Sequence, residues 1–504
     1  MKKARVLLTA PNLLINEGEL SRIEPPMGLL LFAPLLKQDG HEVLIKDFAL
    51  EGWNTLTPFD LKNKRYIKGA TEEYIAKVIS DFNPDILGIS VLYSSLIDSA
   101  KDVARIAKKI NPKITVIVGG NCISNSVVDY KFYLRDPINS GLPDYITHFE
   151  GEDFDYAMTG EAEYPFKDFV NGIINEKDIS NIPGLIRKIG HKKYKINPAR
   201  ILHDLNLLPR PARHMVDMEA YFDIGHFHSS KSRSKRVLSV MCSRGCPEKC
   251  TFCTTPEVYG QITRWRSIEH IMDEINTHVK EFNIGEIQFN DDTITVNKRN
   301  LYALCKELEK IGLPWCTPNG TKVNYHQKEQ FEMYKAMADS GAYQITLACE
   351  SGVQRVLDEI VNKRLPVETI MPAIERAKKA GLLVHTFWIL GFPGETREEM
   401  QQTIDFALQC GADSFSFSVL AALPGTPIYR QVCKENLWWD GRESFNSLRA
   451  SLLKVDGFDT PQEFEKFVYD ANIKANLVLK EKNPERFIYK YGKNATEKSL
   501  MKQT

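Results

Sequence analysis

Three cysteines stand close together near the middle of the chain. Cys246, Cys250 and Cys253 have CxxxCxxC spacing. An iron–sulfur cubane normally takes four thiolate ligands, so a tight loop that offers three can leave one iron open to an outside ligand. Zinc is the alternative, but zinc knuckles want four ligands and usually pair two CxxC units or add histidines. No fourth Cys or His follows at knuckle spacing. The spacing therefore predicts a [4Fe–4S] cluster on these three residues.

The run of residues 243–253 closely resembles the cluster loop of radical S-adenosylmethionine (SAM) enzymes. In that family SAM chelates the open iron, and the reduced cluster breaks a carbon–sulfur bond to give a 5′-deoxyadenosyl radical. Cys242 offers a second register, Cys242/Cys246/Cys250. Phe252 fits the aromatic position before the last cysteine of the family, so the resemblance favours Cys253 over Cys242 as a ligand.

The elements that must position this loop alternate between strand and helix from Val237 onward. Strand patterns occur at 237–241, 286–289, 315–319, 344–348, 383–390 and 414–419, and helical patterns at 267–282, 298–311, 327–340, 355–361, 366–380 and 396–409. Six such units predict a partial (β/α)6 barrel, whose active site lies at the carboxyl ends of the strands. The cluster loop follows the first of these strands, at the expected face.

Polar residues follow the second and third barrel strands. Asp291 and Asp292 could accept hydrogen bonds from the amino group or ribose of SAM, and capping of a helix is the alternative. Lys322 could meet the SAM carboxylate as a point charge, or it could be solvated.

The ends of the fourth and fifth strands carry runs typical of the same family. Glu350 and Ser351 match a pair that contacts SAM there. A buried carboxylate must be paired, so a salt bridge of Glu350 is the alternative, but its strand-end position favours SAM. Gly391 permits a tight turn that would flank the adenine together with Phe252, and Thr396 is predicted to cap the next helix.

The N-terminal part predicts a parallel, doubly wound, Rossmann-like α/β sheet. Its strand patterns lie at 5–9, 42–47, 86–91, 115–118 and 156–159, with helical patterns at 28–37, 71–80 and 95–109. Alternating strands and helices favour parallel pairing, and ligands of such sheets bind at the carboxyl ends of the strands.

Residues at those strand ends resemble the cobalamin (B12)-binding domain that is fused to many radical SAM enzymes. Ser90-x-Leu92 and the pair Gly119-Gly120 match two of its three usual marks, and these glycines would let backbone approach a large flat ligand. The third mark, a DxHxxG loop after the first strand, is missing. With Glu161 after the fifth strand, these are the candidate cobalamin contacts. A Rossmann-like domain without cobalamin is the alternative.

The histidine of that third mark has no equivalent in the chain. Residues 11–18 follow the first strand without a histidine, and His41 stands at the wrong spacing and place. If cobalamin binds, no protein histidine at that spot would ligate cobalt from below.

A length of 504 residues predicts two or three domains. We expect a B12-binding domain at 1–190, a linker rich in proline and serine at 191–235, the barrel at 236–437 and a small helical cap at 438–504. The family resemblance covers about residues 6–437. The basic end of the tail predicts a solvated face.

Composition limits the partners and the compartment. Basic and acidic residues number 65 each, so no global nucleic-acid footprint exists. No signal peptide or membrane span is predicted. The cysteines outside the loop region do not form a disulfide pattern and predict buried thiols in a cytoplasmic protein: Cys122, Cys305, Cys316, Cys349, Cys410 and Cys433.

The resemblance implies a cobalamin-dependent radical SAM enzyme, most simply a methyltransferase that moves a methyl group from methylcobalamin to an unactivated carbon. It also implies an external electron donor of the flavodoxin or ferredoxin type and a small-molecule or lipid substrate that no motif identifies. Alternatives are a rearrangement or cyclisation enzyme, with cobalamin as an electron relay or absent, and a non-catalytic sensor. A methylthiotransferase would need three further cluster cysteines in its N-terminal domain, where only Cys122 lies.

Overall fold

A computed structural model describes residues 2–17, 21–62, 64–225, 227–229, 232–439, 450–482 and 484. The N-terminal strands are β1 (Arg5–Ala10), β2 (Leu13–Asn16), β3 (Glu42–Asp47), β4 (Leu56–Asp60), β5 (Arg65–Lys68), β6 (Ile86–Ser90), β7 (Thr115–Gly119), β8 (Tyr156–Met158), β9 (Leu185–Gly190) and β10 (Lys193–Ile196). The helices between them are α1 (Met27–Gln38), α2 (Phe48–Glu51), α3 (Glu72–Phe82), α4 (Ile97–Ile110), α5 (Asn121–Arg135) and α6 (Glu163–Ile174).

Seven of these strands form one sheet in the order β10-β9-β8-β7-β6-β1-β3. Five neighbouring strands are parallel: β3, β1, β6, β7 and β8. β9 and β10 add an antiparallel edge to this sheet. β1, which lies between β6 and the edge strand β3, is buried at its four inner residues, as expected for a strand covered by helices on both faces. The predicted doubly wound sheet is confirmed.

A small antiparallel sheet in the order β2-β5-β4 lies beside the large one. It is absent from the sequence-based prediction, because its strands are short and largely half-buried or exposed. The side chain of Asn12 anchors it: Nδ2 donates to Ala70 O at 2.8 Å, and Oδ1 accepts from Ala70 N at 2.9 Å.

The predicted linker at 191–235 is more structured than its composition suggests. Its first part forms β10, which pairs with β9 in the large sheet, and a later part forms helix α7 (Met218–Ile224). Arg213 is fully buried and pairs with Glu274 at 2.8 Å. This segment therefore packs against both sheets, and an extended linker is not what the structure has. Ser230 and Lys231 lie outside the described residues.

The second half of the chain contains β11 (Val237–Val240), β12 (Ser243–Arg244), β13 (Arg264–Trp265), β14 (Glu286–Phe289), β15 (Trp315–Lys322), β16 (Ala342–Glu350), β17 (Leu383–Leu390) and β18 (Ser414–Val419). Its helices are α8 (Thr255–Tyr259), α9 (Ile268–Phe282), α10 (Lys298–Ile311), α11 (Gln330–Asp339), α12 (Ile370–Lys379), α13 (Arg397–Gln409), α14 (Pro427–Glu435) and α15 (Pro461–Lys482). Shorter turns are 3-10 helices at Ser94–Leu96, Leu205–Leu207, Arg213–Met215, Ile294–Val296, Gln327–Glu329 and Val367–Thr369, and a π-helix at Val356–Ile360.

Six strands form the open barrel in the order β11-β14-β15-β16-β17-β18, all parallel. Every residue of β16 is buried, which fits a central strand between an inner and an outer layer. The predicted partial (β/α)6 barrel is confirmed, although the fourth predicted helix is the π-helical turn Val356–Ile360 rather than an α-helix.

Helix α15 covers the outer edge of the barrel beside β18. The side chain of Asn472 accepts from Phe417 N at 3.1 Å and donates to Phe417 O at 2.9 Å. This part of the predicted C-terminal cap is helical, whereas residues 440–449, 483 and 485–504, including the basic end, lie outside the described residues. Within the described residues, no helix combines the length and apolarity needed to cross a membrane.

The cysteines outside the cluster loop fit the prediction of buried thiols with one exception. Cys122, Cys305, Cys316, Cys349 and Cys410 are buried, whereas Cys433 is only half-buried.

Candidate functional site

The three cysteines lie on the loop between β12 and α8. Gly245 opens this loop with a φ of 92°, and a Cβ there would lie 2.5 Å from Ile262 O, so only glycine fits. Farther along, Cys253 N donates to Cys250 O at 3.1 Å, which folds the end of the loop back on itself. The turn therefore gathers the thiols at the mouth of the barrel.

The donor set fits a cluster. Burial raises the pKa of Cys246 to about 12 and that of Cys250 to about 11, and the neighbouring thiols add to both shifts. Within the described residues, no group of three or more His, Cys, Asp or Glu side chains is arranged for a single metal ion. Thiolates on one tetrahedral zinc lie on the order of 4 Å apart, whereas a cubane binds them through different irons and spreads them farther.

Cys242 belongs to a different environment. Its side chain is fully buried in the hydrophobic core of the barrel. Its backbone N donates to Asp291 Oδ2 at 3.1 Å. This placement favours the register Cys246, Cys250 and Cys253.

An ion pair holds the first half of the loop to the end of β15. Lys322 Nζ lies 2.6 Å from Glu248 Oε2, and Tyr325 donates its hydroxyl hydrogen to Glu248 Oε1 at 2.8 Å. Both charged side chains are largely buried. The alternative of a solvated Lys322 is therefore wrong, and its partner is a residue of the cluster loop.

A second ion pair lies under the other half of the loop. Thr251 N donates to Val361 O at 3.0 Å, which joins the loop to the turn after the π-helix. From this turn Lys363 places its Nζ 2.8 Å from Glu350 Oε1, and both residues are buried. Glu350 thus has the salt bridge that was the alternative to a SAM contact. Lys363 was missed, because it lies outside the strand-end motifs.

The carboxylate of Asp291 accepts hydrogen bonds from the backbone just before the cluster loop. It accepts from Ser243 N at 2.6 Å and from Cys242 N at 3.1 Å, and burial raises its pKa to about 6 although these hydrogen bonds oppose the shift. Asp292 accepts from Thr255 Oγ1 at 3.0 Å, and burial raises its pKa. Helix capping is wrong for both, since the next turn begins after Thr293 without a side-chain cap.

Three further predicted SAM contacts pack against other parts of the chain. Ser351 Oγ contacts Thr403 Oγ1 at 3.0 Å. A Cβ on Gly391 would lie 2.6 Å from the ring of Phe464 in α15. The ring of Phe252 is 6.0 Å from that of Phe392. The prediction that Thr396 caps the next helix is confirmed by a capping box with Glu399.

A cavity of about 770 Å³ separates the carboxyl edge of the N-terminal sheet from the mouth of the barrel. The predicted residues that line it are Ser90, Leu92, Gly119, Gly120, Glu161 and Asp292. The predicted residues that do not line it are Phe252, Asp291, Lys322, Glu350, Ser351, Gly391 and the three cysteines. The structure therefore separates one group on the cavity wall from another that builds and supports the loop.

Glycines form the part of the cavity wall at the end of β7. Gly120 has a φ of 104°, and a Cβ there would lie 2.4 Å from Val91 O, so this turn requires glycine. A Cβ on Gly119 would meet only Met158 O at 3.5 Å. The bare backbone makes a shallow cradle that side chains would fill, which fits the flat macrocycle of cobalamin.

Glu161 lines the same cavity, but its carboxylate is already occupied. Oε1 lies 3.1 Å from Arg244 Nη1, and Oε2 lies 2.8 Å from Arg264 Nη1. A direct cobalamin contact was predicted from its strand-end position, and the structure instead gives it two arginine partners in the barrel. His41, the misplaced histidine, accepts from Ala4 N at 3.0 Å through Nδ1, within the N-terminal domain.

Four residues form a polar wall of the cavity that was not predicted from the sequence: Glu24, His228, Asn290 and Asn319. His228 N donates to Glu24 Oε1 at 2.8 Å, and Asn290 Nδ2 donates to Glu24 Oε2 at 2.9 Å. Burial lowers the pKa of His228, while Glu24 opposes the shift. Asn319 completes the wall and donates to Asn290 O at 2.9 Å. Asn290 directly follows β14 and Asn319 lies in the second half of β15, and this placement is the one signal in the sequence that points to them.

Two families of proteins match this chain. The radical SAM superfamily matches residues 240–407, and the B12 binding domain matches residues 17–135. The first segment carries the cluster loop, and the second carries the glycine cradle.

Individual relatives are similar to this chain across both matched segments. A cytidylyl-2-hydroxyethylphosphonate methyltransferase of Streptomyces wedmorensis is 31% identical over 93% of this chain and 89% of its own length. An anaerobic magnesium-protoporphyrin IX monomethyl ester cyclase of Rubrivivax gelatinosus is 24% identical over 90% of this chain and 74% of its own length. The fold is shared with the radical SAM methyltransferase TsrM of Kitasatospora setae, at a TM-score of 0.61 and 16% identity, over 84% of this chain and 77% of that one.

The chain therefore belongs to the cobalamin-dependent radical SAM methyltransferase family. It is an enzyme, and the cofactors of its family are a [4Fe–4S] cluster, SAM and cobalamin.

Proposed function

We propose that this enzyme transfers a methyl group to an unactivated carbon of a small-molecule or lipid substrate. The observation that carries the proposal is the shared cavity of about 770 Å³. Its walls come from the glycine cradle of one domain and from the barrel mouth of the other, so both cofactors and the substrate would lie within reach of one another.

When bound, the cluster with SAM supplies a 5′-deoxyadenosyl radical and cobalamin supplies the methyl group. The residues of the chain have supporting tasks. Cys246, Cys250 and Cys253 would ligate the cluster as thiolates. The Glu248–Lys322 and Glu350–Lys363 pairs hold the loop that carries them.

The chain also shapes the space around the substrate. Apolar side chains such as Leu8, Leu29 and Ile89 line the cavity and limit the access of water, which protects a reactive radical. The polar wall of Glu24, His228, Asn290 and Asn319 would orient the polar part of the substrate. We propose this wall as the substrate side of the site.

The reductant and the compartment belong to the same proposal. The ten cysteines are all free thiols, which suits a reducing compartment. We place the enzyme in the cytoplasm, with an electron donor of the flavodoxin or ferredoxin type for the cluster.

The test is anaerobic reconstitution with iron, sulfide and cobalamin, followed by optical spectra and by assay of 5′-deoxyadenosine after addition of SAM and reductant. Bound cobalamin together with SAM cleavage is expected. A cluster that cleaves SAM in a protein that retains no cobalamin would contradict the proposal and indicate radical chemistry without B12.

Ring closure or rearrangement is the second candidate, and the similarity to the Rubrivivax gelatinosus cyclase favours it. SAM that carries a labelled methyl group separates the two reactions. Label that appears on cobalamin supports methyl transfer. Formation of 5′-deoxyadenosine with no label on cobalamin supports the cyclisation chemistry.

A further inference from the structure

Four charged side chains meet where the B12-binding domain touches the cluster-bearing part of the barrel. We call Glu161, Glu163, Arg244 and Arg264 the interdomain charge cluster. Besides the two contacts of Glu161 already given, Arg244 Nη2 lies 2.6 Å from Glu163 Oε1, and Arg264 Nη2 lies 2.9 Å from Glu161 Oε1. Two carboxylates face two guanidiniums, so the charges balance.

All four side chains are buried, with at most 8% of each exposed. A charge taken out of water is costly unless partners satisfy it, and removal of one partner leaves the other uncompensated. Backbone groups complete the arrangement: Leu202 N donates to Glu161 Oε2 at 2.6 Å, and Arg264 Nη2 donates to Tyr259 O at 2.8 Å. The segment after β8 and the β12–β13 ladder cannot slide past each other without breaking several of these bonds.

The placement of the interdomain charge cluster links the two cofactor sites. Glu161 and Glu163 follow β8 on the edge of the sheet that carries the glycine cradle. Arg244 ends β12, immediately before Gly245 and Cys246, and it pairs with Arg264 across the β12–β13 ladder. A short antiparallel ladder thus connects the carboxylates of one domain to the first ligand of the cluster in the other.

We propose that Glu161 and Glu163 are positioning residues that, through Arg244 and Arg264, fix the distance between the iron–sulfur cluster and cobalamin. This inference rests on the proposed function for the placement of both cofactors around the cavity, and it does not depend on which reaction follows. None of the four side chains needs to touch substrate. Their task is to make the separation of the two metal centres a fixed property of the fold.

Pulsed dipolar EPR on the full-length, reconstituted protein measures this separation directly. Anaerobic reduction produces two paramagnetic centres, the reduced cluster and Co(II) cobalamin. The variants are Glu161→Gln and Glu163→Gln, each of which keeps the shape and removes a charge. The matched control is Asp273→Asn, which breaks the exposed 2.7 Å pair with Arg210 between the connecting segment and α9. Iron and cobalamin contents are measured for every sample.

We expect wild type and Asp273→Asn to share one narrow distance distribution. Glu161→Gln and Glu163→Gln should retain iron and cobalamin but shift or broaden it. Unchanged distributions in both glutamine variants would overturn the inference and leave the proposed function intact. If Glu161→Gln fails to fold, Glu163→Gln and Arg244→Lys decide the question, because each keeps the bonds between Glu161 and Arg264. A wild-type protein that retains no cobalamin would overturn the inference together with the proposed function.

Discussion

Lys363 Nζ lies 2.8 Å from Glu350 Oε1 beneath the cluster loop, and neither side chain is more than 7% exposed. Glu350 also has a φ of 66°, a left-handed conformation that is uncommon outside glycine. A strained backbone and a buried charge are both costly, so the pair that compensates them is expected to be strongly coupled.

We predict that Lys363→Met destabilises the protein by about 3–5 kcal/mol, because it leaves the Glu350 carboxylate buried without its partner. Urea unfolding of the cluster-free protein measures this change. The double variant Lys363→Met with Glu350→Gln should recover part of the loss, since no charge remains unpaired. Single and double variants that lose the same free energy of unfolding would argue against coupling between the two side chains.

Cluster ligation separates the two possible cysteine registers. Cys253→Ala should lower the iron content and abolish formation of 5′-deoxyadenosine, because the cluster loses one of three thiolates. Cys242→Ala should retain the cluster spectrum, because Cys242 packs in the core of the barrel. Optical spectra and iron analysis after anaerobic reconstitution give the answer. Loss of the cluster in Cys242→Ala with retention in Cys253→Ala would establish the other register.

The glycine cradle can be blocked without damage to the fold. In Gly119→Val the Cβ has room, with Met158 O at 3.5 Å as its nearest neighbour, while the added methyl groups occupy the cradle. We expect at least a tenfold loss of cobalamin affinity, measured by optical titration, with SAM cleavage retained. Gly190→Ala, at the end of β9 and away from the cavity, is the control. Unimpaired cobalamin binding in Gly119→Val would mean that cobalamin does not lie on this edge of the sheet.

A buried carboxyl makes the contact between α5 and α14 depend on pH. Asp129 accepts from Gly425 N at 2.6 Å and lies 3.4 Å from Arg430. Burial raises the pKa of Asp129 to about 7, with Arg430 opposing the shift and Glu257 adding to it. The folded state therefore holds this proton more tightly than the unfolded state does.

The stability that this proton contributes is present at acid pH and is lost as pH rises from about 4 to about 7, by up to about 1.4 kcal/mol per pH unit. Asp129→Asn keeps an oxygen for Gly425 N and cannot ionise. The difference in free energy of unfolding, wild type minus variant, should fall across this window and be flat above it. Urea unfolding at pH 4, 5.5, 7 and 8.5 measures the difference, and a constant value would refute the assignment.

The sequence predicted the parts of this molecule that depend on local pattern. Both parallel sheets follow from alternating buried strands and amphipathic helices, and Thr396 was recognisable as a helix cap because capping is a local hydrogen bond. The small sheet of β2, β4 and β5 was missed, since strands of four or five half-exposed residues have little periodicity. β10 was assigned to a linker because prolines and serines dominate the segment that follows it.

Side-chain roles were harder to predict because the decisive partners are distant in sequence. Glu161 and Arg264 are more than a hundred residues apart, and no local motif joins them. Lys322 and Glu248 meet only because the third strand of the barrel ends beside the cluster loop. A strand-end position pointed to Glu161 and Lys322, but it could not distinguish a ligand contact from a buried ion pair.

The contact of Asn472 with β18 protects the edge of the open barrel. An open barrel exposes the backbone of its last strand, and such an edge is a template for strand pairing with another molecule. By bonding both the N–H and the C=O of Phe417, the side-chain amide of Asn472 occupies one position of that edge. A chain that ends before Pro461 would lack α15 and expose this backbone edge, so we expect it to self-associate through β18.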